Sequence, residues 1–246
     1  MCGRFVTASS PALIADRFAV DEVDATVTPD PEPDYNVSPR RNVLAVRERE
    51  GQRVLSRLRW GLVPSWAKEV KIGDRMINAR AETVASKPAY RRAFANKRCL
   101  IPADGFYEWK AGTAAGGDKK PRKQPYFIHR KDGEPLAFAG LWEVWKVPDD
   151  RPDNEKDLGG DDGWLRSCVI VTTTANELMA PIHNRMPVIL PESAWERWLD
   201  PDEHDVDTLA ELLVPADDAL LEAYPVSTEV NNARNNGPEL ARAVVV

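Results

Sequence analysis

The second residue, Cys2, has the most distinctive chemical potential in the chain. Methionine aminopeptidases remove an initiator methionine when the next residue is small, and loss of Met1 would leave Cys2 with an α-amine and a thiol on adjacent carbons. The amine has a pKa of about 7.7–8.0 and the thiol one of about 8.5 that falls near cations, so reactive forms of both exist at neutral pH. Such an aminothiol condenses with an aldehyde, first to a Schiff base and then to a thiazolidine ring. Alternatively, Cys2 is only a small buried residue, as free cysteines usually are.

The other residues that could bind a metal are scattered along the chain. Three cysteines are an odd number, and neither their spacing nor that of the three histidines fits a disulfide framework or a zinc site. We therefore expect no metal and no cofactor. The N-terminus lacks the apolar run of a signal peptide, and no apolar segment reaches the roughly 20 residues that span a bilayer. These features predict a cytoplasmic protein that does not enter a membrane.

The net charge of −6 is distributed unevenly. Residues 40–110 contain 17 lysines and arginines against 7 acidic residues, whereas residues 111–246 contain 14 against 25. A basic region on an acidic chain is typical of a local anion-binding site, with the remainder keeping the protein in solution. The alternative is an arginine-rich surface that is merely solvated.

Six short motifs occur in order along most of the chain. They are MCGRF at 1–5, YNVSP at 35–39, RWGLVPSW at 59–66, NARAE at 78–82, KRCLIPADGFYEW at 97–109 and HNRMPVIL at 183–190. Together they resemble the SOS response-associated peptidase (SRAP) family, whose members capture abasic sites in single-stranded DNA as a covalent DNA–protein crosslink. The resemblance implies a single compact α+β domain with a positively charged DNA channel.

The resemblance also assigns catalytic roles to four residues. It implies that Cys2 is the nucleophile, that Asn78 is an orienting amide, and that Glu108 and His183 are general acid–base groups. Opening of the abasic sugar and loss of water from the carbinolamine need proton transfer, for which a carboxylate and an imidazole are suitable. Outside such motifs, a glutamate in a strand usually faces solvent and an isolated histidine is usually structural.

The same motifs predict a DNA interface. The residues concerned are Arg4, Asn36, Pro39, Trp66, Arg80 and Arg185. The resemblance implies that Arg80 and Arg185 grip the phosphates beside the lesion, a role that suits the flat and always charged guanidinium, and that Trp66 is a wedge that stacks on bases. The alternatives are surface ion pairs for the arginines and core packing for the tryptophan. We expect a monomer that binds abasic single-stranded DNA, including at junctions with duplex, and that is nucleoid-associated when bound.

Two other functions stay open. One is a thiol peptidase that uses Cys2 as an N-terminal nucleophile and releases Met1, with neighbouring polar groups supplying the oxyanion hole and base. Crosslink reversal would also look hydrolytic, and strand nicking would be a lyase activity. The other is a reversible binder of modified or single-stranded DNA that stacks bases on Trp66. The basic 40–110 region favours DNA, since a peptidase does not require it, and a reversible binder would tolerate Cys2→Ala.

The apolar pattern predicts antiparallel sheet with peripheral helices. A β-hairpin is predicted over 42–48 and 52–64 around the turn Glu50-Gly51, and two strands joined by a turn are predicted over 98–110. Further strands are predicted over 4–8, 124–130, 136–146, 164–176 and 221–232. Helices are predicted over 11–19, 86–98 with Ser86 as N-cap, 176–183, 192–200 and 205–213. The whole is predicted to be one domain at 1–235, with polar insertions near 111–124 and 147–163, and a C-terminal tail at 236–246.

Overall fold

The computed structural model describes residues 2–112, 123–148, 158, 160 and 162–245. Its strands are, in chain order, β1 (Phe5–Thr7), β2 (Glu22–Val23), β3 (Asp34–Val37), β4 (Asn42–Arg49), β5 (Gln52–Trp60), β6 (Asn78–Arg80), β7 (Arg98–Ala103), β8 (Gly105–Lys110), β9 (Gln124–Arg130), β10 (Leu136–Lys146), β11 (Trp164–Thr174), β12 (Arg185–Pro187) and β13 (Leu221–Pro225). The α-helices are α1 (Pro11–Arg17), α2 (Ala81–Val84), α3 (Arg91–Asn96), α4 (Glu192–Leu199) and α5 (Val206–Glu211).

The strands form two sheets, in the α+β arrangement that the sequence predicts. The larger sheet has the order β12-β11-β10-β7-β4-β5-β2, with β6 added beside β11, and the smaller has the order β13-β9-β8-β1-β3. Most neighbours are antiparallel, whereas β2 and β5, β5 and β11, and β6 and β11 pair in parallel. Among the described residues, no helix is long and apolar enough to cross a bilayer.

Strand β11 pairs with strands that come from distant parts of the chain. Its interior is buried and β-branched, a composition that suits a strand covered on both faces. Along its length it pairs with β10, β5, β6 and β12. Asn78 of β6 lies opposite Ile170, and Arg185 of β12 lies opposite Thr174. One strand therefore brings two sequence motifs, 78–82 and 183–190, to the same end of the sheet.

An aromatic cluster fixes the start of the chain. Phe5 packs edge-on against Trp60 at 5.0 Å and against Phe138 at 6.0 Å between ring centroids. All three rings are fully buried, and Phe106 completes the group against Phe138. Burial of an aromatic side chain contributes about 1.5–3 kcal/mol. Strand β1 of the smaller sheet is therefore anchored against the larger sheet, and this packing holds the residues before β1 in place.

Two predicted helices differ in the structure. The segment predicted as a helix from Ser86 is helical only over Arg91–Asn96, because the Ser86 hydroxyl donates to the Thr83 carbonyl and ends α2 instead of capping a new helix. The segment 176–183 forms turns, since Pro181 has no N–H to continue a helix and restricts the residue before it. The hairpin at Glu50-Gly51, α1, α4, α5 and the other predicted strands agree with the predictions to within a few residues, except that β13 ends at Pro225. The short strands β2, β3, β6 and β12 were not predicted.

The C-terminal residues pack against the domain. Leu240 is fully buried, the Val244 N–H donates to the Pro225 carbonyl at 2.9 Å, and the Tyr224 hydroxyl donates to the Ala241 carbonyl at 3.0 Å. The chain beyond residue 235 therefore continues the same structural unit and is not a separate tail. Of the two predicted insertions, residues 113–122, 149–157, 159 and 161 lie outside the described residues.

Candidate active site and nucleic-acid interface

Cys2 lies at the junction of the two sheets, immediately before β1. Its side chain is fully buried in the cluster that contains Phe5 and Trp60. The Asn78 amide nitrogen donates a hydrogen bond to the Cys2 carbonyl at 2.7 Å. The Asn78 amide oxygen is buried and has no hydrogen-bond partner among the described residues. Asn78 thus fixes the backbone of Cys2 and keeps one acceptor for a further group.

Strand β6, which carries Asn78, is held by side chains on three other segments. It is only three residues long, so strand pairing alone would leave it weakly fixed. The carbonyl groups of Ile77, Asn78 and Ala79 each accept a hydrogen bond from a side chain that was not predicted to support the site. The bonds run from Trp60 Nε1 to Ile77 O at 2.9 Å, from Tyr90 Oη to Asn78 O at 3.3 Å and from Thr172 Oγ1 to Ala79 O at 3.3 Å.

Glu108 faces Cys2 from the neighbouring strand. Strand β8 pairs with β1, with Phe106 opposite Phe5 and the Tyr107 N–H donating to the Arg4 carbonyl at 2.9 Å. Glu108 is only 2% exposed, so this strand glutamate does not face solvent. Burial, and then the Glu108 carboxylate, raise the pKa of the Cys2 thiol well above its ordinary range. Burial therefore opposes formation of the Cys2 thiolate, whereas the nearby N-terminal amine favours it.

The ring of His183 is oriented by its own loop. Its Nδ1 accepts a hydrogen bond from the Arg185 backbone N–H at 3.0 Å, and the His183 N–H donates to the Met179 carbonyl at 2.9 Å. A neutral ring with an accepting Nδ1 carries its proton on Nε2. The backbone of residue 185 thus contributes to the orientation of the His183 ring.

Arg80 and Arg185 lie at the same end of β11 but in different environments. Arg80 is exposed, and although its charge helps to lower the pKa of Glu82, it forms no salt bridge among the described residues. The Arg185 guanidinium is mostly buried and forms a two-point ion pair with Glu82, in which Nη2 and Oε2 are 3.0 Å apart and Nη1 contacts Oε1. Its Nη2 also donates to the Thr172 carbonyl at 2.6 Å. The surface ion pair that the sequence left as the alternative for Arg185 is present.

Comparison with known proteins identifies the family of this chain. A model of the family described as SOS response associated peptidase (SRAP) matches residues 1–233. This chain belongs to the SRAP family. It is 45% identical to the abasic site processing protein YoqW of Bacillus subtilis over 98% of both chains. It is 32% identical to YedK of Escherichia coli, over 99% of this chain and 100% of that one, and 33% identical to HMCES of Xenopus tropicalis, over 87% and 67%.

The fold is also that of a solved relative. A crystal structure of a protein from Bacteroides thetaiotaomicron superposes with a TM-score of 0.81 at 25% identity, covering 99% of this chain and 100% of that one. Because both comparisons extend over nearly the whole chain, the six sequence motifs belong to one SRAP domain. Carrying family roles over to single residues still depends on the geometry of each side chain.

Trp66 lies on the surface of this SRAP domain. Its side chain is 61% exposed, whereas Trp60 is fully buried in the core. Trp66 lines an open groove together with three basic residues, Lys68, Lys71 and Arg75, and two acidic ones, Glu69 and Asp74. An exposed ring beside cations can stack on a base while the cations approach the backbone. Core packing is therefore wrong as the alternative role of Trp66.

Arg4 and Asn36 are engaged within the protein. Arg4 Nη1 donates to Asn36 Oδ1 at 2.6 Å and to the Val230 carbonyl at 2.9 Å. The buried Asn36 amide nitrogen donates to the carbonyls of Asn232 at 3.0 Å and Asn235 at 2.9 Å. These bonds fasten the C-terminal segment, so both side chains support the domain from inside. Pro39 lies in the turn between β3 and β4 and is half-buried.

Part of the basic charge between residues 40 and 110 is internal. Arg47, Arg59 and Arg98 are at most 6% exposed. Arg98 donates to backbone carbonyls that include Trp198 O and Phe94 O, both at 2.7 Å, and Arg59 pairs with Asp74 at 3.1 Å. The charge count from the sequence therefore overstates the surface that is available to an anion.

Proposed function

We propose that the protein captures abasic sites in single-stranded DNA by forming a covalent bond through Cys2 after Met1 has been removed. The observation that carries the proposal is the convergence of three chain segments on residue 2, with Asn78 bonded to the Cys2 carbonyl and Glu108 facing the thiol. The printed names of the relatives, abasic site processing proteins, support the substrate class. The motifs at 1–5, 78–82 and 97–109 thus serve one site.

The chemistry requires an aldehyde, an amine and a thiol in sequence. The ring-opened abasic sugar presents its C1′ aldehyde, which the Cys2 α-amine attacks to form a carbinolamine. Loss of one water gives the C=N bond of a Schiff base. The sulfur then adds to the same carbon, and the thiol proton ends on nitrogen, which closes the thiazolidine. The net reaction joins protein and DNA with release of one water.

The side chains around Cys2 suit these proton transfers. Because burial opposes loss of the thiol proton, addition of sulfur is helped by a base that takes this proton, and Glu108 is the carboxylate that acts on the thiol. The Asn78 amide oxygen can accept a hydrogen bond from the amine or the carbinolamine. His183, which presents Nε2–H when neutral, is a proton donor for opening of the sugar or departure of water.

Single-stranded DNA suits the surface better than duplex does. An exposed Trp66 needs unstacked bases, and stacking contributes about 1–3 kcal/mol per base. Arg80 and Arg185 lie within three residues of Asn78 and His183 respectively and would hold the flanking phosphates. A reactive aldehyde also exists only where a base has been lost, so covalent selectivity comes from the chemistry and not from base contacts.

The test is adduct formation with an abasic single-stranded oligonucleotide. We expect wild-type protein to give a species that survives boiling in detergent. Cys2→Ser and Cys2→Ala keep an α-amine but lack the sulfur, so they should give an adduct only when borohydride reduces the imine. A matched control, Cys99→Ala, removes a buried thiol elsewhere and should crosslink like wild type. A borohydride-independent stable adduct with Cys2→Ala would refute the proposal.

A further inference from the structure

The ion pair between Glu82 and Arg185 occupies the face of Arg185 that a phosphate would need. Both terminal nitrogens of the guanidinium contact the carboxylate, Nη1 on Oε1 and Nη2 on Oε2. The opposite side of Nη2 is used by the Thr172 carbonyl at 2.6 Å, and the Arg185 Nε is buried. A two-point phosphate contact uses two adjacent N–H groups of the same fork. Glu82 and a phosphate therefore cannot hold that edge together.

The two partners differ in how freely they can move. The Glu82 side chain is 48% exposed, whereas that of Arg185 is 14% exposed. Arg185 is fixed by the strand, while Glu82 lies in the first turn of the short helix α2 and points from the surface. Arg185 and, to a smaller degree, Arg80 lower the pKa of Glu82, so the carboxylate is ionised at neutral pH. When the ion pair breaks, the Glu82 side chain therefore moves away and Arg185 stays in place.

We propose that Glu82 is an intramolecular competitor of the DNA backbone: its carboxylate occupies Arg185 until a phosphate of the bound strand replaces it. The inference rests on the proposed binding of single-stranded DNA and deepens it. Arg80, which is exposed and forms no salt bridge among the described residues, makes the first contact, and Arg185 contributes only after exchange. The consequence is a lower affinity for undamaged strands, so that retention on DNA depends more on the covalent bond at Cys2.

The expected effect follows from the cost of exchange. Exposed arginine–carboxylate pairs are weak, and their usual stabilities correspond to a change of about 1.5- to 5-fold in an equilibrium constant. When Glu82 is displaced, its free negative charge repels the DNA backbone. This charge also binds a cation from solution, so the net number of cations released when Arg185 contacts a phosphate is smaller. Glu82→Gln removes this offset. The slope of log affinity against log salt should become steeper by about 0.7, the value for one single-strand phosphate contact.

The experiment measures binding of an undamaged, fluorescently labelled single strand by anisotropy at several salt concentrations. Glu82→Gln and Glu82→Ala should both bind about 1.5- to 5-fold more tightly than wild type, with the steeper slope. The control Glu211→Gln makes the same change in net charge on α5 and should leave affinity unchanged. Thermal unfolding establishes that each variant is folded.

A double variant separates competition from general electrostatics. In an Arg185→Ala background, Glu82→Gln should give a clearly smaller gain in affinity and no steeper salt slope, because only the general repulsion between the free Glu82 carboxylate and the DNA backbone is then removed. Unchanged or weaker binding by folded Glu82 variants, or a gain as large without Arg185 as with it, would overturn the inference. Failure of wild-type protein to bind any single strand or to form an adduct would instead refute the proposed function, so the two failures are distinguishable.

Discussion

Replacing Glu108 by glutamine removes the charge that faces Cys2 while nearly keeping the size of the side chain. Two opposite effects follow. The pKa of the Cys2 thiol falls because the repelling carboxylate is gone, which favours reaction, but the base that accepts the thiol proton is lost, which opposes it. Burial is the larger cause of the raised pKa and is unchanged in the variant. Burial therefore still opposes loss of the thiol proton in the variant, and we expect loss of the base to decide the outcome.

The proposed role of Glu108 as a general base sets the expected size of the fall in rate. A positioned general acid or base typically contributes about 10²- to 10⁴-fold to a rate. This range corresponds to about 3–5 kcal/mol in the barrier. Since Glu108 is buried between the sheets and does not reach the surface, we expect no comparable change in the affinity for undamaged single strands. The loss should thus be confined to the rate of adduct formation.

The assay is a single-turnover time course with protein in excess over a labelled abasic strand, quenched in denaturant. Binding of an undamaged strand, measured in parallel, should remain within about twofold of wild type. Glu143→Gln is a matched control, because Glu143 is another buried strand carboxylate, paired with Lys97 away from Cys2. That variant should lower the melting temperature and not the rate. A folded Glu108→Gln protein that reacts within about threefold of wild type would refute proton transfer by Glu108.

Two further predictions concern the DNA surface. Arg80→Ala should weaken single-strand binding more than Arg185→Ala does, because Arg80, unlike Arg185, gives up no ion pair when it binds a phosphate. It should also flatten the slope of log affinity against log salt by about 0.7. Equal losses of affinity for the two variants in a salt titration would contradict this prediction. Trp66→Ala should cost about 1–3 kcal/mol of single-strand affinity with little change in melting temperature, since the ring is 61% exposed. A large fall in the melting temperature together with unchanged affinity would mean that the ring packs and does not stack.

Much of the fold follows from local pattern. Alternating residues and the turn at Glu50-Gly51, where both residues have positive φ, specify the β4–β5 hairpin. What could not be predicted depends on distant partners. Tyr90 illustrates the point: its hydroxyl bonds to Asn78 O, and its φ of −120° marks the N-cap, so α3 starts later than the helical pattern of 86–98 suggests. Pairing of β6 with β11 joins residues about 90 positions apart and leaves no local signal.

The residues of the candidate site came from the sequence motifs, whereas their burial and electrostatics did not. The motifs supplied Cys2, Asn78 and Glu108, which the fold brings together. Sequence alone could not show that the thiol is buried with a raised pKa, because burial depends on the packing of both sheets. Nor could it show that Arg185 is paired, although Glu82 lies in the same motif as Arg80 and was visible as a nearby carboxylate. Charge counts likewise could not separate buried arginines from surface ones.

Mass spectrometry of the wild-type adduct tests the central claim most directly. We predict an intact mass equal to the chain without Met1 plus the oligonucleotide minus one water. After nuclease and trypsin digestion, the remaining sugar should be found on the N-terminal peptide that begins with Cys2 and ends at Arg4. A sugar attached to a lysine or to another cysteine, an adduct on a chain that retains Met1, or no adduct would contradict the account.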